Sequence, residues 1–212
     1  MTHPIKVLLV DDHAIVREGY RRLLEEEPSI QVIGEAANAE EARERASALG
    51  PDVVVMDIAL PGSSGIEATS RMLREQPNLR ILMFSMYDDA IYASRALEAG
   101  ALGYLSKASA PEVLVRAIYA VSRGERYVSA DVATNLARSA AQPGRSELEA
   151  LSPREFEVLR LLVQGETVRS ISEKLGLSEK TVANHQSAIR EKLGARNSAQ
   201  LARLVARVGW SR

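Results

Sequence analysis

The sequence contains no cysteine, which excludes disulfide bonds, zinc sites with cysteine ligands and catalysis by a thiol. It also has no uninterrupted apolar run near the roughly 20 residues that a membrane-spanning helix requires. The first residues, MTHPIKVLLVDD, reach charged side chains after only a few apolar ones, so we expect no signal peptide. These absences together predict a cytoplasmic protein.

The composition is otherwise that of ordinary globular proteins, with 46% hydrophobic and 26% charged residues. A chain of 212 residues favours two compact units over one. Residues 145–212 contain 12 Lys and Arg against 8 Asp and Glu, whereas residues 1–144 contain 15 against 20. A basic second part favours nucleic-acid binding there, although scattered surface charge would give a similar modest difference.

The segment VVVMDIALPG, residues 53–62, predicts a short strand followed by a loop. Its apolar run has no polar alternation, which is typical of a strand buried on both faces of a parallel sheet. The strand ends in Asp57, and Pro61 and Gly62 then break it. Because open α/β sheets bind ligands at the carboxyl ends of their strands, Asp57 is a candidate site residue.

Other apolar segments also end in polar side chains. They are KVLLVDDH, which contains Asp11 and Asp12, RILMFS, which ends in Ser85, and GYLSK, which ends in Lys107. If these strands are parallel, one edge of the sheet gathers carboxylates, a hydroxyl and an ammonium group. Clustered carboxylates need a cation, and their hard oxygen ligands suit Mg²⁺. The hydroxyl and the ammonium group would then orient a tetrahedral oxyanion beside the metal.

Periodicity predicts that strands and helices alternate through the first part of the chain. The strands are predicted at residues 6–12, 30–36, 53–57, 80–85 and 103–105, and the helices at residues 14–26, 38–49, 65–75, 88–99 and 111–123. This alternation predicts an α/β domain with a doubly wound, parallel, five-stranded sheet over residues 1–124.

The rest of the chain carries only helical patterns. Residues 125–147 are predicted to form a short helix and the linker SAAQPGRSE, and residues 148–212 an all-α domain of four helices. Ser152 and Glu155 form a capping box at its first helix. Two helices joined by GLS, residues 176–178, predict a helix-turn-helix. Ser198 is predicted to cap the last helix, whose apolar positions are Leu201, Leu204, Val205 and Val208.

The first domain resembles the receiver domain of two-component response regulators. The resemblance rests on the Asp11–Asp12 pair, the DIALPG loop that begins at Asp57, Ser85 and Lys107, in that order and spacing. The second part, LSPREFEVLRLLVQGETVRSISEKLGLSEKTVANHQSAIREKLG, resembles the LuxR-type DNA-binding domain. The combination is similar to the NarL/FixJ family of transcription regulators.

The resemblance implies phosphoryl transfer from the phosphohistidine of a sensor histidine kinase to Asp57. Mg²⁺ would be bound by Asp12, Asp57 and the main-chain carbonyl of Ala59, with Asp11 acting through water. The metal would offset the repulsion between the carboxylate nucleophile and the phosphoryl oxygens.

Further receiver residues have roles implied by the same resemblance. Lys107 would pair with the phosphoryl group, and Ser85 would move to bond one of its oxygens. Tyr104 would rotate inward behind Ser85 as a switch residue. For Lys107 a plain solvated lysine is the alternative, and for Tyr104 a half-buried strand aromatic.

In the second helix of the helix-turn-helix, one face is predicted to enter the major groove of promoter DNA. Its residues are Lys180, Ala183, Asn184 and Ser187. Asparagine can read adenine through two hydrogen bonds, whereas alanine and serine give methyl or hydroxyl contacts. The candidates for contacts with DNA phosphates are Thr181, Arg169, Lys174 and Arg190.

The resemblance also implies that the protein is not an enzyme in the ordinary sense, although the receiver would promote its own Mg²⁺-dependent phosphorylation and dephosphorylation. The implied partners are the kinase, double-stranded promoter DNA, RNA polymerase and a second copy of the chain after phosphorylation. One alternative is a constitutive DNA binder with a vestigial receiver, against which the intact acidic and basic residues argue. Another is a dehalogenase-like phosphatase, which would carry its second acid two residues after the nucleophile, whereas Asp11 and Asp12 are adjacent.

Overall fold

A computed structural model gives the structure of the protein and describes residues 3–140, 148, 150–195, 197, 200, 201, 203 and 204. The chain divides into two compact units, Met1–Leu136 and Ala137–Arg212. Within the described residues, no helix combines the length and the hydropathy that crossing a membrane requires.

The first unit is built on a parallel sheet. Its strands are β1 (Ile5–Val10), β2 (Ile30–Ala36), β3 (Val53–Met56), β4 (Ile81–Ser85), β5 (Gly103–Ser106) and β6 (Tyr127–Val128). They lie in the order β2-β1-β3-β4-β5-β6, and every neighbouring pair is parallel. The prediction of a doubly wound parallel domain is thereby confirmed.

Five helices connect consecutive strands, and a sixth follows β6. They are α1 (Ala14–Glu25), α2 (Ala39–Leu49), α3 (Gly65–Glu75), α4 (Ala90–Glu98), α5 (Pro111–Ser122) and α6 (Ala130–Ala140). The α2 helix shows why the boundaries were readable from the sequence. The side chain of Asn38 accepts a hydrogen bond from the amide of Glu41, and Gly50 ends the helix with a φ of 57°. That left-handed conformation is accessible to glycine because it has no Cβ atom.

The predicted number of five strands was wrong, because β6 adds a sixth. The amide of Tyr127 donates to the carbonyl of Leu102 at 3.1 Å, and the amide of Ser129 donates to the carbonyl of Tyr104 at 3.2 Å. A strand of two residues is too short to produce a periodic pattern, so only its pairing with β5 reveals it.

The strand β3 lies in the middle of the core, and all of its residues are buried. The exposed fraction of Val53, Val54 and Met56 is 0%. Full burial of such side chains stabilises the fold by roughly 1.5–3 kcal/mol each before entropy is counted. Helices therefore cover both faces of the sheet, as the unbroken apolar run predicted.

The order of the strands creates a topological switch point between β1 and β3. From β1 the chain first moves outward to β2, and it then returns past β1 to form β3. Connections on opposite sides of this point diverge, which leaves a crevice at the carboxyl ends of the two strands. Asp11 follows β1 and Asp57 follows β3, so both residues flank this crevice.

The second unit contains three helices whose bounds are described, α7 (Pro153–Val163), α8 (Val168–Leu175) and α9 (Glu179–Lys192). The predicted capping box is present at α7: Ser152 accepts from the amide of Glu155, and the Glu155 side chain accepts from the amide of Ser152. Gly176 ends α8 in a left-handed conformation, and Ser178 caps α9. The helices α8 and α9 thus form the predicted helix-turn-helix.

The buried side chain of Arg154 joins α7 to the end of α8. The guanidinium group of Arg154 donates to Glu157 at 2.8 Å and to the carbonyl of Leu175 at 2.5 Å. It thereby satisfies a carbonyl group that the last turn of α8 leaves without a partner inside the helix. Of the predicted last helix, Leu201 is buried. Ser198, Val205 and Val208 lie outside the described residues.

Candidate functional site

Main-chain hydrogen bonds to neighbouring strands hold Asp57 and Asp11 at the switch point. The amide of Asp57 donates to the carbonyl of Val10 at 2.9 Å, and the amide of Asp11 donates to the carbonyl of Ala36 at 3.0 Å. Only 4% of Asp57 and 6% of Asp11 are exposed. Carboxylates this deeply buried require partners.

Lys107 supplies the partner for both carboxylates. Its Nζ atom lies 2.5 Å from Oδ2 of Asp11 and 2.6 Å from Oδ2 of Asp57. The backbone directs this side chain, because the amide of Lys107 donates to the carbonyl of Ser85 at 2.7 Å. The structure therefore brings together residues that stand far apart in the chain, as the parallel-strand argument predicted.

The charges of this cluster do not balance, since two buried carboxylates share one ammonium group. Burial raises the pKa of Asp57; Lys107 opposes this shift, and the neighbouring Asp11 adds to it. Burial works against the charge on Lys107, but the carboxylates of Asp57 and Asp11 outweigh it and raise the pKa of Lys107. Both directions reflect excess negative charge in a space with little water.

Asp12 lies at the solvent side of this cluster and has a partner that the sequence analysis did not assign. The Nδ1 atom of His13 lies 2.6 Å from Oδ1 of Asp12, and the His13 amide donates to Oδ1 of Asp11 at 2.8 Å. One ligand atom from each of these three residues lies within 4.8 Å of the others. Asp57 is linked to this group by Lys107, which donates to both Asp11 and Asp57.

Ala59 and Ser85 stand at the borders of the cluster. Ala59 is exposed, and its amide lies 3.4 Å from Oδ1 of Asp57. Its carbonyl as a metal ligand stays a prediction. Ser85 is fully buried, and its Oγ accepts a hydrogen bond from the amide of Tyr87 at 3.3 Å.

Tyr104 lies inside the domain, where its ring has no exposed surface. Its hydroxyl donates to the carbonyl of Tyr87 at 2.6 Å. Burial raises the pKa of Tyr104 well above its ordinary value, while a hydrogen bond with Ser85 opposes the shift. Tyr104 is therefore fully buried in this structure, and its rotation as a switch residue stays a prediction.

In the second unit, α9 has two distinct faces. Val182 and Ile189 are fully buried. The residues predicted to enter the major groove are all exposed, and they are Lys180, Ala183, Asn184 and Ser187. These four side chains therefore lie on the face of α9 opposite its buried side.

The candidates for phosphate contacts are only partly gathered on α9. Thr181 and Arg190 lie on α9 and are half-buried. Arg169 and Lys174 lie on α8, where they pair with Glu173 at 3.1 Å and Glu166 at 2.5 Å. Because these ion pairs are at the surface, exchanging a carboxylate for a DNA phosphate would cost little.

Three residues that contact the acidic cluster were not among those predicted from the sequence: His13, Arg17 and Gly65. Arg17 donates to the main-chain carbonyl of Asp11 at 2.5 Å, and Gly65 packs against the backbone of Asp57. His13 directly follows the acidic pair and could have been included with it. Neither Arg17 nor Gly65 carries a signal in the sequence, because their contacts depend on how α1 and α3 approach the strand ends.

Models of known protein families match both parts of the chain. Residues 7–119 match the response regulator receiver domain. Residues 149–205 match the luxR family of bacterial regulatory proteins. A phosphoacceptor domain of this kind joined to a helix-turn-helix unit defines a two-domain regulator of transcription.

Similar proteins cover nearly the whole chain. The response regulator UvrY of Escherichia coli is 39% identical over 207 residues, which are 97% of this chain and 95% of that protein. The response regulator GacA of Pseudomonas syringae is 40% identical over 207 residues, 97% of each chain. A structure of RcsB from Salmonella enterica serovar Typhimurium, bound to promoter rprA with phosphomimetic BeF₃⁻, is 28% identical with a TM-score of 0.68, covering 96% of this chain and 99% of that one.

The chain belongs to the NarL/FixJ family of two-component response regulators. It combines a receiver domain with a LuxR-type DNA-binding domain, and it regulates transcription. The family and the function predicted from the sequence are thereby confirmed.

Proposed function

We propose that Asp57 is the phosphoacceptor and that a sensor histidine kinase is the donor. The observation that supports this most directly is the buried Asp57 carboxylate, 2.6 Å from the Lys107 ammonium group at the switch point of the sheet. An oxygen of Asp57 attacks the phosphorus atom of phosphohistidine and forms the O–P bond of an acyl phosphate. The N–P bond breaks, and its electron pair returns to the imidazole nitrogen of the kinase.

The acidic residues suit a divalent cation. Asp11 and Asp57 leave excess negative charge after their pairing with Lys107, and Asp12 adds a carboxylate that is open to solvent. Carboxylate oxygens with room for water are the donor set that Mg²⁺ prefers. We infer that Asp12 and Asp57, together with the carbonyl of Ala59, hold Mg²⁺, and that Asp11 acts through water. When bound, the metal supplies positive charge that offsets repulsion between the carboxylate and the phosphoryl oxygens.

Lys107 and Ser85 respond to the new phosphoryl group in this proposal. The ammonium group of Lys107 exchanges one carboxylate contact for a phosphoryl oxygen, which carries more charge than the oxygen it replaces. Ser85 has its Oγ near the Tyr87 amide, and its hydroxyl turns to donate to a second phosphoryl oxygen. The change at Ser85, the last residue of β4, draws the loop after β4 toward Asp57.

A chain of hydrogen bonds connects that loop to α6. The Tyr104 hydroxyl donates to the Tyr87 carbonyl at 2.6 Å, and the side-chain amide of Asn135 donates to the next carbonyl, that of Asp88, at 3.0 Å. We infer that movement of this loop reaches α6 through Asn135. The α6 helix continues past Leu136, the last residue of the first unit, so it is suited to carry the signal toward the DNA-binding domain.

The DNA-binding part of the proposal assigns the exposed face of α9 to the major groove and the basic residues around it to phosphates. Phosphorylation of Asp57 then favours a homodimer that binds two half-sites, which raises affinity steeply. A relative provides support, since RcsB has been described as two dimers bound to two parallel DNAs. Recruitment of RNA polymerase at the promoter is part of the same proposal, and all of these events occur in the cytoplasm.

The phosphoacceptor is tested by labelling the full chain with acetyl phosphate and Mg²⁺. The wild type should take up one phosphoryl group, and Asp57→Asn should take up none because an amide cannot form the acyl phosphate. Asp12→Ala should still be labelled, but only at higher Mg²⁺ concentrations. Full labelling of the Asp57→Asn variant would assign the phosphoacceptor to another residue.

The control of DNA binding is tested by anisotropy titrations on one promoter fragment. Residues 146–212 alone should bind without phosphorylation, and the unphosphorylated full chain should bind the same site more weakly until it is labelled. Each affinity should fall as salt is added, because Lys and Arg displace counterions from the DNA. Equal affinity of all forms would show that the receiver does not control binding.

A further inference from the structure

Arg17 contacts the acidic pair from outside. It lies on α1, and only 17% of its side chain is exposed. Its Nη1 group donates to the main-chain carbonyl of Asp11 at 2.5 Å, and its Nε group donates to Glu35 on β2 at 2.7 Å. One guanidinium group thus joins the end of β1 to the neighbouring strand.

The bonded carbonyl belongs to the peptide unit that connects Asp11 to Asp12. That unit is planar, so a hydrogen bond to its oxygen fixes the direction in which the chain enters Asp12. The Asp11 amide, on the other side of Asp11, is held by the carbonyl of Ala36. Both peptide units that flank Asp11 are therefore anchored to β2 or to a side chain bonded to β2.

We propose that Arg17 is a positioning residue for the divalent cation. It holds the Asp11–Asp12 peptide unit in the orientation in which both carboxylates face the cation that Asp57 shares. The inference rests on the proposed function of the site, since it assumes that Mg²⁺ binds there. Arg17 itself touches neither the metal nor the phosphoryl group.

The positive charge of Arg17 should weaken Mg²⁺ binding, whereas its hydrogen bonds should strengthen it. Because the two effects have opposite signs, a measured change in Mg²⁺ affinity shows which one dominates. A cation beside a metal site repels Mg²⁺, so its removal would tighten binding if charge were the dominant effect. Glu35, at 2.7 Å, compensates most of that charge. Partners that orient metal ligands typically contribute about 10–100-fold in metal affinity. We therefore expect orientation to outweigh repulsion.

The experiment is a calorimetric titration of the full chain with Mg²⁺, comparing Arg17→Met with the wild type. Arg17→Met should raise the Kd for Mg²⁺ about ten-fold or more. The matched control is Arg21→Met. Arg21 lies one turn later on α1, and within the described residues its ion pairs are with glutamates: Glu18 at 2.5 Å, Glu25 at 3.3 Å and Glu35 at 3.3 Å. Its replacement should change the Kd by less than about two-fold.

A second pair of variants separates orientation from charge and from folding. Arg17→Lys keeps the positive charge but replaces the planar guanidinium, which donates to Glu35 and Asp11 from two separate nitrogens, with one ammonium nitrogen on a shorter side chain. It should therefore weaken Mg²⁺ binding as Arg17→Met does. Glu35→Gln leaves Arg17 in the chain but loosens its anchor, and it should give a smaller loss. Circular dichroism and the Tm without Mg²⁺ identify any variant that has lost its fold.

The outcomes distinguish this inference from the proposed function. Unchanged or tighter Mg²⁺ binding by folded Arg17→Met or Arg17→Lys would overturn the positioning role while leaving the metal site intact. A wild type that binds no Mg²⁺ would overturn the proposed metal site itself. With saturating Mg²⁺, labelling of Arg17→Met by acetyl phosphate should approach the wild-type rate, because the variant retains Asp57 and Lys107.

Discussion

The backbone of Gly65 lies against the main-chain carbonyl of Asp57. A Cβ atom on residue 65 would stand 1.8 Å from that oxygen, closer than any two such atoms can approach. The amide of Gly65 also donates to the carbonyl of Ile58 at 2.9 Å, so α3 begins against the backbone of Asp57 and Ile58. The first residue of α3 thereby fixes the position of the backbone that carries Asp57.

We predict that Gly65→Ala displaces Asp57 and destabilises the receiver by about 1–3 kcal/mol, because the backbone must move to admit a methyl group. Labelling by acetyl phosphate should slow, and the Tm should fall. The control is Gly19→Ala in α1, where a Cβ atom meets nothing within 4 Å and alanine should stabilise the helix by up to about 1 kcal/mol. A variant at Gly65 with wild-type labelling and Tm would contradict this interpretation.

Asp57→Asn should make the folded protein more stable at neutral pH. Burial raises the folded-state pKa of Asp57, so the folded state favours the protonated form and its carboxylate weakens folding at any pH above that pKa. The amide removes this effect, for a gain on the order of 1 kcal/mol in the free energy of unfolding.

The gain should shrink as the pH falls through the folded-state pKa of Asp57, because the wild type then becomes neutral at this position as well. Urea unfolding of the wild type and of Asp57→Asn over a series of pH values measures this difference in the free energy of unfolding. Asp131→Asn, at an exposed carboxylate in the first turn of α6, is the control and should show no such gain. A loss of stability for Asp57→Asn at neutral pH would refute the argument.

Lys107→Met should destabilise the receiver and make its thermal stability depend on Mg²⁺. Removal of the ammonium group leaves the buried carboxylates of Asp11 and Asp57 without their shared cation, at a cost of about 3–5 kcal/mol. Added Mg²⁺ should restore stability by supplying positive charge, so the Tm should rise with Mg²⁺ more steeply than in the wild type.

The matched control for this experiment is Lys6→Met, which removes an exposed lysine from the same unit and should give the wild-type response to Mg²⁺. Lys107 also has a raised pKa, so the stability that its charge contributes is fully present below the ordinary lysine pKa. It is lost only as the pH rises through the raised folded-state value. Equal Tm increments for Lys107→Met and the wild type would contradict the proposed compensation.

Arg169→Gln should reduce DNA binding without affecting the fold. Its ion pair with Glu173 is exposed, so its loss should cost less than about 1 kcal/mol of stability. If Arg169 contacts a phosphate, the slope of log Kd against log salt should decrease by about 1. Arg22→Gln, which removes an exposed arginine from the first unit, is the control and should leave the slope unchanged. An unchanged slope for Arg169→Gln would remove that residue from the DNA contacts.

Asn135→Ala should weaken the connection between the receiver and DNA binding while leaving phosphorylation intact. The variant loses the hydrogen bond to the Asp88 carbonyl, worth about 1 kcal/mol, so the gain in DNA affinity on phosphorylation should fall about five-fold. Thr134→Ala is the matched control, since Thr134 bonds within its own helix to the carbonyl of Ala130. Identical gains in affinity for both variants would show that the signal does not pass through Asn135.

The sequence by itself determined the elements and their class. An unbroken apolar run identified β3 as a strand buried on both faces, and the capping box of Ser152 and Glu155 marked where α7 begins. The reason is that burial and capping are local requirements, which the chain must satisfy at fixed spacings. The proximity of Asp57 and Lys107 was also predictable, because parallel strands bring their carboxyl ends to one edge of the sheet.

The tertiary structure alone decided the contacts that come from different elements. That Arg17 bonds the Asp11 carbonyl, that Gly65 admits no side chain and that Asn135 reaches Asp88 depends on how helices approach the ends of strands. A helix places a side chain by its rotation and tilt, and many distant packing contacts set these angles together. The two-residue strand β6 likewise exists only because β5 offers it an edge. No local pattern can encode either kind of contact, since each results from the packing of the whole domain.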